Sequence, residues 1–180
     1  MEIHIDQLID RELRLEFEEK AESFPVLAEM IKTGEFDFPA PVKTRLRVFR
    51  IGEFIEVDGV FETVTQLVCS RCLKEYDTQL ASKIALTYTR ENLENRADLS
   101  RDEIELSPED AGLITFSGDR IDLREGVQEQ VVMALPVRPL CRKDCKGLCP
   151  QCGADLNHGD CGCDQAPLNP RFSALKNLKL

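Results

Sequence analysis

The sequence predicts an α+β fold: an antiparallel sheet curled towards a barrel, two or three helices, and a cysteine-rich C-terminal segment. Three observations predict it. Polar and apolar residues alternate with period two through most of residues 42–89, the mark of half-buried strands. Apolar residues recur at helical spacing in residues 22–32, 122–135 and 169–178. Six of the eight cysteines fall within residues 141–163, and the other two, Cys69 and Cys72, form a C-S-R-C pair. Residues 1–140 are expected to form the sheet domain with its helices, and residues 141–180 the cysteine-rich segment with a terminal helix packed on it.

Taken in order, residues 2–6 alternate, and Leu13, Leu15 and Phe17 then share one face of a clearer strand. Phe24, Leu27, Ala28 and Ile31 mark a short helix, with Pro25 in its first turn and Gly34 just past its end. A strand through Leu46 and Val48 breaks at Ile51-Gly52. The next, through Phe54, Ile55 and Val57, meets Asp58-Gly59, read as a two-residue hairpin turn. A long strand from Val60 leads into Cys69, and strands return at residues 76–80 and 84–89, so that Cys69 and Cys72 turn a long hairpin. Residues 91–110 are acidic and unpatterned and read as an exposed loop. Leu113-Ile114-Thr115-Phe116 is a strand and Ser117-Gly118-Asp119 a turn. Asp122 then caps a helix with Glu125 in capping-box position, and Pro136 ends it. Near the C-terminus, Asn169 and Pro170 start a short helix striped by Phe172, Leu175 and Leu178, which packs on the cysteine segment or takes a partner.

Cysteine chemistry is the strongest functional signal. Cys149-Pro150-Gln151-Cys152-Gly153 is a knuckle in which two thiolates three positions apart reach one metal, and the glycine lets the backbone turn its N–H groups towards the sulfurs. The N-terminus is acidic and polar where a secretory signal is basic then apolar, and no apolar run reaches the roughly 18 residues of a membrane span. The expected compartment is the cytoplasm, where thiols stay reduced and serve as ligands rather than disulfides. Cys69, Cys72, Cys141, Cys145, Cys149, Cys152, Cys161 and Cys163 are therefore the candidate ligands for one or two zinc ions. In one grouping Cys149, Cys152, Cys161 and Cys163 close locally and Cys141 and Cys145 meet Cys69 and Cys72. In another, the C-K-G-L-C run from Cys145 to Cys149 bridges the two groups and leaves thiols spare. His158 is a substitute ligand or a solvated turn residue.

A full thiolate shell leaves no position for reactive water, so the expected role is structural. A dithiol redox switch is the alternative, but its C-x-x-C favours a helix N-terminus, whereas Cys69 and Cys72 follow a strand. His4 and His158 are the only histidines; no nucleophile-elbow or zincin motif and no phosphate-cradling loop occurs, and neither an enzyme nor a small-molecule substrate is expected. The formal net charge of −10 disfavours a broadly basic nucleic-acid binder. Residues 136–180, however, carry seven Lys/Arg against four acids. Arg138, Arg142, Lys143, Lys146 and Arg171 are candidate phosphate contacts, or else offset the −2 charge of a four-thiolate zinc site.

The blocks V-C-S-R-C-L-K-E-Y, I-D-L-R-E-G-V-Q-E-Q-V-V-M-A-L-P-V-R-P-L-C, D-C-K-G-L-C-P-Q-C-G-A-D-L-N and P-R-F-S-A-L-K-N-L, in that order, resemble the bacterial YceD family across nearly the whole chain. The resemblance implies a role in accumulation, maturation or stability of 23S ribosomal RNA of the large subunit, in the bacterial cytoplasm, with relatives in plastids, and no catalytic activity carries over from it. It implies metal-ligand roles for the matching cysteines alone. Two versions follow: the basic tail docks on ribosomal RNA, or the acidic body holds a basic ribosomal protein for assembly, which the charge favours. A zinc-dependent regulatory or zinc-handling protein without a ribosomal role is the reading from another class, and predicts exposed cysteines and labile metal.

Overall fold

A computed structural model describes residues 1–8, 12–34, 36–91 and 112–163. The acidic stretch beyond Glu91, the C-terminal helix and Arg171 lie outside the described residues. Contacts divide the chain into two units. One comprises Met1–Leu67 and Asp77–Val137, the other Val68–Tyr76 and the chain from Arg138 onward.

The first unit holds a five-stranded sheet in the order β2-β3-β4-β5-β6: β2 is Leu13–Glu19, β3 Val42–Ile51, β4 Phe54–Val68, β5 Glu75–Arg90 and β6 Leu113–Phe116. β2 pairs antiparallel with β3, Leu15 opposite Leu46, and β3 with β4, Val48 opposite Val57. A six-residue connection joins neighbours β4 and β5, which is short enough only for an antiparallel pair. β6 departs from this pattern. It runs parallel to β5, with Thr87 opposite Leu113, so the sheet is mixed rather than antiparallel. It is also open, with β2 and β6 as its two edges, and not barrel-like. Period-two alternation identifies a strand but carries nothing about its direction; the 22 residues between β5 and β6 are long enough for the crossover that a parallel pair requires. β1 (Glu2–His4) and β7 (Arg120–Asp122) form a separate antiparallel pair.

The Asp58-Gly59 turn expected from sequence is not a turn. Ile51 pairs with Phe54, so the chain reverses at Gly52-Glu53, with Gly52 at φ 60°, and β4 runs straight through Asp58 and Gly59. Gly59 is there because the strands crowd: a Cβ on it would collide with the Arg45 carbonyl oxygen and lie 2.8 Å from Leu46 Cδ2. Asp58 instead pairs across the strands with Arg47 at 3.0 Å. Inward positions keep their parity past the glycine, with Ile55, Val57, Phe61, Thr63, Thr65 and Leu67 all buried.

Two helices are among the described elements. Helix α1 (Pro25–Thr33) has Pro at its start and ends at Gly34, which is left-handed at φ 72°. Helix α2 (Leu123–Ala134) is capped by Asp122, whose carboxylate accepts from the Arg124 N–H at 2.9 Å. Leu123, Val127 and Val131 form its buried stripe, and Gly126 allows Leu86 and Tyr88 to approach. Phe24 precedes α1 without a side-chain cap, and buried Gln128 of α2 takes over, its Oε1 accepting from the Val26 N–H at 3.1 Å.

Gly59→Ala is expected to lower stability to urea by about 1–3 kcal/mol, because Arg45 and Leu46 must move. Asp58→Asn, which weakens only an exposed pair, is expected to change it by at most about 1 kcal/mol. Equal midpoints for the two variants would refute the close approach at Gly59.

Candidate metal centres

The second unit is built on two turns of one design. In the first, Cys69–Cys72, the Leu73 N–H donates to the Cys69 carbonyl at 2.9 Å, with Leu73 left-handed at φ 57°. In the second, Cys149–Cys152, the Gly153 N–H donates to the Cys149 carbonyl, also at 2.9 Å, with Gly153 at φ 75°. Sequence reasoning found the second turn through its glycine; the first adopts the same conformation with an exposed leucine, the one non-glycine residue at positive φ among the described residues.

Each turn presents two sulfurs, and a second pair completes each set, distant in the chain for the first turn and close for the second. Cys69, Cys72, Cys141 and Cys145 form one cluster and Cys149, Cys152, Cys161 and Cys163 the other, the four sulfurs of each lying within 4.8 Å of one another. In the first, Cys69 Sγ is 3.8 Å from Cys145 Sγ and Cys72 Sγ 3.7 Å from Cys141 Sγ. These are far beyond a disulfide bond of about 2.05 Å. They match the edge of a thiolate tetrahedron around zinc, about 3.8 Å for Zn–S bonds of about 2.3 Å. The Cys145–Cys149 bridge does not form. His158 belongs to neither cluster and turns its Nδ1 to Asp155 at 3.1 Å.

The thiols within each cluster differ in acidity. Burial acts to raise Cys69, but the N–H groups of Cys141, Cys72 and Arg71 outweigh it and bring the thiol down to about 6. Burial and the neighbouring thiols of Cys72, Cys145 and Cys69 push Cys141 up to about 12. In the second cluster the N–H groups of Cys152 and Gln151 bring Cys149 down to about 6, while the side chains of Cys152 and Cys161, with burial, push Cys163 up to about 12. Four adjacent thiols cannot all ionise without a compensating charge. A cation would supply it, so both clusters can hold a metal ion.

Sequence reasoning missed the side chains that frame the first cluster. Arg71 donates from Nη1 to the Cys145 carbonyl at 2.6 Å, and its own carbonyl accepts from the Leu148 N–H at 3.1 Å. Ser70 donates to the Pro139 carbonyl from both backbone N–H (2.8 Å) and hydroxyl (2.9 Å). Asn157 donates from Nδ2 to Cys145 Sγ at 3.5 Å, while its Oδ1 accepts from Arg142 Nη2 and the Lys146 N–H. The Asp155-x-Asn157 spacing, whose Asp155 carboxylate accepts from the Asn157 N–H, was the available signal. Of the candidate phosphate contacts, Arg138, Arg142, Lys143 and Lys146 are exposed, but Arg142 is already held by Asn157 and by Asp144 at 3.5 Å. Among the described residues, no helix is long and apolar enough to cross a membrane.

A family model described as "Large ribosomal RNA subunit accumulation protein YceD" matches residues 57–179. A chloroplastic YCED homolog 1 of Arabidopsis thaliana, carrying the same description, is 25% identical over 173 residues, covering 79% of this chain and 50% of its own. An uncharacterized protein of Mycobacterium tuberculosis is 31% identical over 133 residues, covering 74% of this chain and 59% of its own. This chain thus spans between about half and three fifths of the length of these relatives. No solved structure matches.

Gly147, at φ 78°, would bring a Cβ to 2.9 Å from the Arg71 carbonyl oxygen. Gly147→Ala is expected to destabilise this unit by about 1–3 kcal/mol. Leu73→Asn, which suits the left-handed turn, is expected to stabilise it by up to about 1 kcal/mol. Thermal melts shifting in the same direction for both would contradict these turn geometries.

Proposed function

The chain belongs to the YceD family, and from that premise we propose that it is a non-catalytic cytoplasmic factor supporting 23S ribosomal RNA accumulation and large-subunit assembly. Each cysteine cluster holds one zinc ion that fixes the fold. The observation that carries the structural part is the pair of closed four-sulfur clusters. Four clustered thiolates suit zinc, which takes four sulfur ligands in structural sites, and a full thiolate shell leaves no position at which water could be activated. The burial of Cys69, Cys72, Cys145 and Cys149 favours a retained ion over a zinc-handling role. The family description supports the ribosomal part.

The partner that charge favours is a basic ribosomal protein of the large subunit. The chain carries −10 overall, while Arg142 of the basic tail is held internally. An acidic surface speeds encounter with a basic partner and repels bare phosphate.

Protein purified without chelator is expected to carry two equivalents of zinc; less than one equivalent would overturn the metal reading. Metal affinity is expected to fall as the pH drops, and more steeply below about pH 6. Above that pH Cys69 and Cys149 are already thiolates, whereas below it they too must lose a proton to bind. A competition titration between pH 8 and 5 measures this, and a constant slope would contradict the two lowered thiols.

Tagged protein isolated from growing cells is expected to bring down large-subunit proteins or precursor 23S ribosomal RNA, and a Cys69→Ala/Cys72→Ala variant to lose them. Recovery of neither by the unmodified chain would remove the ribosomal reading. Binding to purified ribosomal RNA is expected to be weak; a steep fall of log affinity with log salt would transfer the role from a protein partner to direct phosphate contact.

A further inference from the structure

One side chain from the loop of the second cluster reaches a sulfur of the first. Asn157 lies in the loop between Cys152 and Cys161, so its position is set by the second cluster's ligands, yet its amide Nδ2 points at Cys145 Sγ of the first. The amide is oriented on every side. Asp155 Oδ1 accepts from the Asn157 N–H at 2.9 Å and from Nδ2 at 2.6 Å. Asn157 Oδ1 accepts from Arg142 Nη2 at 2.8 Å and from the Lys146 N–H at 2.9 Å, both donors flanking Cys145 in the chain. Two backbone bonds run beside it: Leu156 N–H to the Gly147 carbonyl at 2.9 Å, and Leu148 N–H to the Arg71 carbonyl inside the first turn. Cys145 is buried, so water does not replace a lost donor at its sulfur.

The geometry points to Asn157 as a positioning residue for the first metal centre, supplied by the loop of the second, so that zinc binding at the two centres is positively coupled. This rests on the zinc reading above. Loading the second centre fixes residues 153–160 between two ligand pairs and presents a formed N–H donor to the Cys145 thiolate. A donor to a ligating sulfur withdraws charge from it and fixes its direction, and loss of such an outer partner costs about 10–100-fold in metal affinity. Coupling between binding sites is reciprocal, so loading the first centre tightens the second by the same factor.

The test uses the full chain, stripped of metal and titrated with Co²⁺, which reports tetrahedral thiolate sites by absorption, followed by competition with zinc and a chelator. Asn157→Asp keeps the side chain's shape and its acceptor oxygen, and removes the donor to sulfur together with the one to Asp155. Asn157→Leu removes donor and acceptor together, and Cys161→Ser/Cys163→Ser disables the second centre. All three are expected to weaken the first centre by about 10–100-fold. The two Asn157 variants are expected to shift its sulfur-to-cobalt charge-transfer band to lower energy, which a merely structural role would not do. Two equivalents of metal in all Asn157 variants, with first-centre affinity within twofold of the unmodified chain, would overturn the coupling and leave the zinc reading intact. An unmodified chain that binds no metal would overturn both.

Discussion

Mutual repulsion among thiolates is the constraint on which the second unit depends. Cys69 and Cys145, and Cys72 and Cys141, hold their sulfurs 3.8 and 3.7 Å apart, and burial together with the neighbouring thiols pushes Cys141 up while backbone N–H groups bring Cys69 down. The protein brings them together with directed backbone N–H groups and with short turns whose conformation leaves little freedom. A disulfide would satisfy the same sulfurs two at a time; the observed spacing keeps all four available to a single ion.

The two units solve different problems. The first is organised by apolar burial. Phe24, Leu27, Val48, Val57, Phe61, Leu123 and Val127 are essentially inaccessible to water and need no metal. The second has few large apolar side chains among its described residues: Cys69, Cys72 and Cys145 form a small buried cluster with Tyr76, Leu140, Cys141 and Leu148 around it. So small a set buries too little surface to order its turns alone, and the hydrogen bonds of Ser70, Arg71 and Asn157 add to it.

What the sequence disclosed follows from how local each signal is. Helix α1 was readable from Pro25 and Gly34, and α2 from Asp122, because caps and periodicity act within a few residues. The grouping of the cysteines was readable as one of two alternatives, since spacing limits which sulfurs can meet without choosing between them. Asp58-Gly59 misled because the same dipeptide serves a turn or a close strand approach. The unbroken parity of Ile55, Val57, Phe61 and Thr63 was the sign that distinguished them. The direction of β6 was not legible, because it is decided by a long connection. Nor was the role of Asn157 or Arg71, whose partners are far away in the chain or on the opposite turn.

The first cluster is assembled from remote parts of the chain, with Cys69 and Cys145 76 residues apart, whereas the second lies within residues 149–163. Bringing the ends of the longer segment together costs about 1.5 kcal/mol more loop entropy than closing the shorter one. The second centre can thus close as a local event, while the first waits for the intervening strands. Closure of the clusters would follow an order during folding: the short-loop cluster forms early, and the long-range one closes late, as the step that reports completion of the chain between its two halves.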